Sequence, residues 1–218
     1  MRNLFNIESP LMQKLTLFSN LILMNAVWLV CCIPIVTIGA SCTAMYRVMF
    51  DLHEDKNGRL RDFFLYFKEN FKKSTLLWLI YLFGGAVLYV LFGLIAWADV
   101  SVPVRVILLA PFCLLAFHWF FSQLYVFALC AFFENTLKKT LFNASAISLR
   151  HLRQSIICAA LTLLPLVLAS VSFEWFLRLS FVCLFIYPGF CYYWKSGLIS
   201  GVFSNYLPDK DAADADPD

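Results

Sequence analysis

The chain has 218 residues, of which 61% are hydrophobic, 17% aromatic and only 14% charged, with a mean hydropathy of +0.76. A soluble domain carries about a quarter charged residues, because one core needs a polar surface around it. The missing polar surface predicts a lipid-facing one. The formal net charge of +3 is too small for a nucleic-acid partner, and Lys and Arg sit beside apolar runs instead of forming a basic face.

The expected fold is all-α: a polytopic helical membrane bundle in a single transmembrane domain, residues 1–207, with about five transmembrane helices and two cytoplasmic amphipathic helices. A span needs about 20 mostly apolar residues, since ~30 Å of hydrocarbon is crossed at 1.5 Å per residue. The first span covers about 15–35 and is interrupted by Ser19, Asn20 and Asn25. Pro34 ends or kinks it, because proline has no N–H to donate and its ring clashes with the preceding turn.

Pro34, Thr37 and Gly39 together read as a helix-exit motif: proline frees a carbonyl, threonine bonds nearby backbone, and glycine permits positive φ. Ala40, Ser41, Thr43 and Ala44 then offer small side chains for close helix packing.

In 59–73, Leu60, Phe63, Phe64, Phe67 and Phe71 recur at helical spacing, with Arg61, Asp62, Lys68, Lys72 and Lys73 around the remainder. Two seats are open to this stripe. One is the membrane surface, with Phe63, Phe67 and Phe71 in the acyl boundary and Lys72 and Lys73 at anionic headgroups. The other is the bundle's own base.

The second span, 75–97, contains Gly84 and Gly85 and has tryptophans near both ends, where amphipathic rings favour the headgroup level. The third, 106–133, is longer than one crossing requires, so it tilts, kinks near Pro111 or projects past the headgroups. The second cytoplasmic helix, 134–153, repeats the amphipathic plan more weakly. The fourth span, 156–172, holds Pro165, and the fifth, 177–194, holds Pro188 and Gly189. Residues 208–218 carry five Asp against one Lys and read as a disordered acidic tail.

Thirteen of the seventeen Lys and Arg residues fall on one side of this alternation, which predicts an external N-terminus and a cytoplasmic C-terminus. A shift of 81 positions aligns Leu60, Phe63, Phe67, Phe71, Lys72 and Ser74 with Leu141, Ala144, Ser148, Leu152, Arg153 and Ser155. Such a register predicts a two-fold internal repeat.

Polar groups inside hydrocarbon are the default suspects for a site. Asn25, His118, Ser122 and Gln123 are the candidates, a cluster between the first and third spans. It would bind a polar solute, relay a proton, or serve only as interhelical hydrogen bonding. The eight cysteines lie in or beside apolar segments without C-x-x-C spacing, which argues for packing and against a metal. No Walker motif, dinucleotide fingerprint, H-E-x-x-H or G-x-S-x-G occurs, so no catalytic residue, metal or cofactor is expected and an enzyme is the least supported class.

The stretch from Asn25 through Trp28 to Pro34, Thr37 and Gly39 resembles the signature of the YesL-like family, bacterial membrane proteins of unknown function. Phe67 to Ser74, Asn143-Ala144 and Leu149 to Leu152 resemble its later blocks, and Ala40 stands where the family often has proline. The resemblance implies a helical inner-membrane protein of a bacterial cell, often encoded near carbohydrate-uptake systems. The leading expectation is thus a non-enzymatic accessory or regulatory module in the lipid bilayer, partnered by sugar ABC transporter subunits or by self-association. The alternative is a small carrier or channel for a neutral solute such as a sugar.

Overall fold

A computed structural model describes residues 10–54, 56, 59–171, 174, 177–178 and 184–206. Among these residues the chain is helical throughout, with no strand. The helices are α1 (Pro10–Cys32), α2 (Ile38–His53), α3 (Leu60–Trp97), α4 (Val102–Phe132), α5 (Leu137–Arg150), α6 (Leu152–Val171) and α7 (Tyr187–Phe203). Short 3-10 turns at Ile35–Thr37 and Ser204–Tyr206 complete them.

Five helices are long and apolar enough to cross a membrane: Leu15–Cys32, Ile35–His53, Leu60–Trp97, Val102–Phe132 and Leu152–Ser170. The number matches expectation, but the set does not. Ile35–His53 was expected to be connecting chain. Residues 179–183 of the 177–194 span and the whole 208–218 tail lie outside the described residues.

The additional helix differs from the other four in its surroundings. Of its window, 67% is buried inside the bundle, against 6–17% for the others. A lipid-facing helix exposes apolar side chains; α2 instead hides Ala40, Ala44, Met45, Val48 and Met49 completely. It touches α1, α3, α4 and α7 and so forms the axis of the molecule.

The small residues at its start make this possible. A Cβ on Gly39 would lie 2.3 Å from the Ser74 carbonyl oxygen and 2.7 Å from the Trp78 Cβ, so the α2 and α3 backbones meet where only glycine fits. At the far end of α2, Tyr66 donates to Asp51 at 2.7 Å. α2 therefore runs antiparallel to the first half of α3, toward the end of the molecule that carries Arg59, Arg61, Lys68, Lys72 and Lys73.

The exit motif works by hydrogen bonding and close approach. Thr37 Oγ1 donates to the carbonyls of Cys31 (2.6 Å) and Pro34 (2.7 Å), and Ser41 Oγ donates to Cys31 (3.0 Å). These bonds occupy a carbonyl that the proline break releases. Gly39 itself is helical, within the first turn of α2, so its value is the missing side chain and not the positive φ expected of it.

α3 is one unbroken helix of 38 residues, about 57 Å long at 1.5 Å per residue. The amphipathic stretch 59–73 and the second span are therefore collinear. Its aromatic stripe turns on α2: Phe63 is fully buried with Met45, Val48 and Met49, and Phe67 packs beside it. Of the two seats open to the stripe, the bundle's own base is the one Phe63 occupies.

The 81-residue register reappears in three dimensions. Ser74 and Ser155 are both fully buried, and both reach α4: Ser74 Oγ lies 3.5 Å from Cys130 Sγ, and Ser155 Oγ lies 3.0 Å from the Tyr125 hydroxyl. The buried block of α4, Phe121 to Ala131, falls on Ala40 to Phe50 of α2 under the same shift, and both are buried almost throughout. The two halves thus place equivalent segments at the centre.

Candidate functional site

A polar concavity lies at the cationic end, where α2, the first half of α3 and the turn after α4 converge. It is a cleft of about 700 Å³. α2 supplies Arg47, α3 supplies Tyr66, Glu69, Asn70 and Lys73, and the chain leaving α4 supplies Glu134. Because Glu69 and Lys73 are four apart, they share one face of α3.

The walls are tied together by the same side chains that line them. Arg47 donates from Nη1 to the Ala131 carbonyl at 3.3 Å, and its guanidinium lies 5.5 Å from the centre of the Tyr66 ring. Tyr66 in turn bonds Asp51, and Asn70 Nδ2 donates to the Tyr66 carbonyl at 3.3 Å. Desolvation, and next its bond to the Asp51 carboxylate, push the Tyr66 phenol above the usual tyrosine range, with Arg47 opposing. The cleft is therefore pre-shaped, with two cations and two carboxylates around a polar floor.

The four polar residues singled out within the spans do not form one cluster. Asn25 is fully buried and donates from Nδ2 to the Leu184 carbonyl at 3.1 Å, on the side of α1 where Gly189 of α7 approaches. His118 shares a 2.6 Å hydrogen bond with Ser145 of α5, and Ser122 shares one of 2.5 Å with Tyr81 of α3. His118 and Ser122 do line a common cavity between α3, α4 and α5, while Gln123 is half-buried and outside its lining.

A buried cation was missed by sequence reasoning. Lys195 is 7% exposed, with its ammonium 4.9 Å from the Tyr192 ring centre, 5.9 Å from that of Tyr46, and 3.4 Å from Thr162 Oγ1. No carboxylate pairs with it among the described residues. Aromatic faces stabilise a desolvated ammonium. The signal was the Tyr192 to Lys195 spacing of three, which places both on one side of a helix.

Residues 21–92, from mid α1 through the proline exit and α2 to most of α3, match a family model described as "Protein of unknown function, DUF624". Over that third of its length the chain is similar to the DUF624 family. This is the YesL-like family that the residues around Pro34 resemble. No curated protein and no solved structure matches the chain.

The matched segment supplies Arg47, Tyr66, Glu69, Asn70 and Lys73 to the cleft, and the rest comes from the end of α4 and the turn after it. Asn25, Pro34, Thr37, Gly39, Phe63, Phe67, Phe71, Lys72 and Lys73 lie within it, whereas His118, Ser122, Gln123 and Lys195 lie beyond it.

Proposed function

We propose that the chain is a non-enzymatic accessory module of a membrane assembly, and that its cleft at the cationic end receives a polar segment of a partner subunit. The observation that carries this reading is the cleft itself: opposite charges stand around a floor of hydrogen-bonded side chains that hold three helices in fixed relation. A partner segment with alternating charge finds complementary groups there without reorganising them. A sugar ABC transporter is the partner class that the family resemblance favours. By the same charge asymmetry, the cationic end faces the cytoplasm of a bacterial cell and the N-terminus lies outside.

The carrier reading has less support. α2 fills the axis with fully buried side chains, and Asn25 turns away from His118 toward α7. A solute path between the first and third spans would have to displace both.

The test is purification of the full chain from cells at native expression in mild detergent. A membrane transporter subunit is expected to co-purify in constant ratio, and Lys73→Glu or Glu134→Lys to lower its recovery about tenfold, the effect of ~1.4 kcal/mol. Recovery of the chain alone, or sugar flux in proteoliposomes that falls in His118→Ala, would reject the accessory role.

A further inference from the structure

The cavity shared by His118 and Ser122 differs in kind from the polar cleft. It holds about 560 Å³ between α3, α4 and α5, and Ile80, Phe83, Val87, Leu88, Leu91 and Leu115 form most of its wall. The wall is open on its flank: Phe83 is 72% exposed and Leu115 58%. Gly84 lets the indole of Trp119 form its back, since a Cβ there would sit 2.9 Å from Trp119 Nε1. From Ile80 to Leu91 the groove runs about 16 Å along α3 at 1.5 Å per residue, close to half of a ~30 Å hydrocarbon core. It is as deep as one leaflet.

Only one end of the groove is polar. There Tyr81 pairs with Ser122 and His118 with Ser145, and α5 closes over them with Leu141 and Ser145. One turn before Leu141 on α5 stands Lys138, on the groove side of the helix, with Lys139 next to it round the flank, both exposed. An apolar slot of single-leaflet length, a hydrogen-bonding neck and two cations beyond it have the order of an acyl chain, a glycerol ester region and an anionic headgroup.

We infer that this groove is a binding site for one anionic phospholipid of the leaflet at the cationic end, with an acyl chain along α3 and the phosphate at Lys138 and Lys139. The apolar wall gains by burying methylenes in a shaped slot, and headgroup choice comes from the two lysines, each worth about as much as any cation near an anionic surface. This site is separate from the cleft and stands whether or not a partner docks there.

Native mass spectrometry of the full chain in detergent, titrated with phosphatidylglycerol or phosphatidylcholine of equal chain length, tests it. One phosphatidylglycerol per chain is expected to remain bound at least tenfold better than phosphatidylcholine. Val87→Trp, which fills the slot, should abolish retention of both lipids, while Leu164→Trp on the exposed face of α6 should leave it intact. Lys138→Glu with Lys139→Glu should remove the headgroup preference without disturbing the slot, so the inference remains testable even if Val87→Trp does not fold. Equal retention of the two lipids by the unaltered chain, or a headgroup preference that survives the double lysine variant, would overturn the assignment.

Discussion

Gly39 shows how much one missing side chain can set. A Cβ there meets backbone on α3, the Ser74 carbonyl at 2.3 Å, and backbone cannot rotate aside as a side chain can. Gly39→Ala is therefore expected to force α2 and α3 apart and to cost stability at the upper end of the ~1–3 kcal/mol typical of overpacking. Chemical unfolding in detergent, followed by helix content, measures it, and an unchanged midpoint would mean that the two helices part without cost. At this scale the sequence was legible in kind more than in detail. Pro34 and Thr37 announced a helix exit, but a glycine after a proline break reads equally well as a turn or as a contact point, and only the position of α3 decides between them. Lys195 was illegible for a related reason: a lysine next to an apolar run is ordinarily drawn to water, and its aromatic lodging depends on Tyr46, far away in the chain.

The break between α1 and α2 holds because hydroxyls replace the lost backbone bonds. Thr37 and Ser41 both serve the Cys31 carbonyl, and Ser41 is fully buried. Thr37→Val together with Ser41→Ala should leave that carbonyl unsatisfied and destabilise the fold by ~1–3 kcal/mol, whereas either change alone leaves one donor and costs less. Additive single effects would show that the bonds act separately. Hydropathy marked α1, the second half of α3, α4 and α6 as apolar runs, because lipid-facing surfaces are apolar all round. It misread α2 for the opposite reason. A helix buried among helices tolerates Ser41, Thr43 and Asp51, so its mean hydropathy, 1.2, sinks below the 1.8–2.3 of the other four. Hydropathy likewise cut α3 at Ser74, where charge gives way to lipid-facing side chains although the backbone continues.

Across the whole molecule, charge separates the two ends. α3 is nearly twice as long as the hydrocarbon is thick, so about half of it is surplus to one crossing, and α2 and the cleft lie beside its cationic half. Reporter groups attached at Lys56, Asp99 and Asn143 are expected to lie inside, outside and inside the cell. Lys56 and Asp99 on the same side would mean that α3 does not cross. The candidate cleft could not have been anticipated from linear spacing, since Arg47, Lys73 and Glu134 come from two helices and the turn after a third, whose meeting depends on α2 being central. The internal register was visible only as scattered matches; Ser74 and Ser155, which it pairs, are both fully buried.

The placement of α2 also dictates an order of assembly during synthesis. Ribosomes deliver residues 38–53 well before Tyr125, Phe132 or Phe203, the residues that enclose Tyr46 and Phe50. Until those arrive, the future axis has only α1 and α3 against it, its remaining flank uncovered. A nascent chain halted after Trp97 would present that flank to the cell's quality-control proteases, and completion of α7 is the event that closes it.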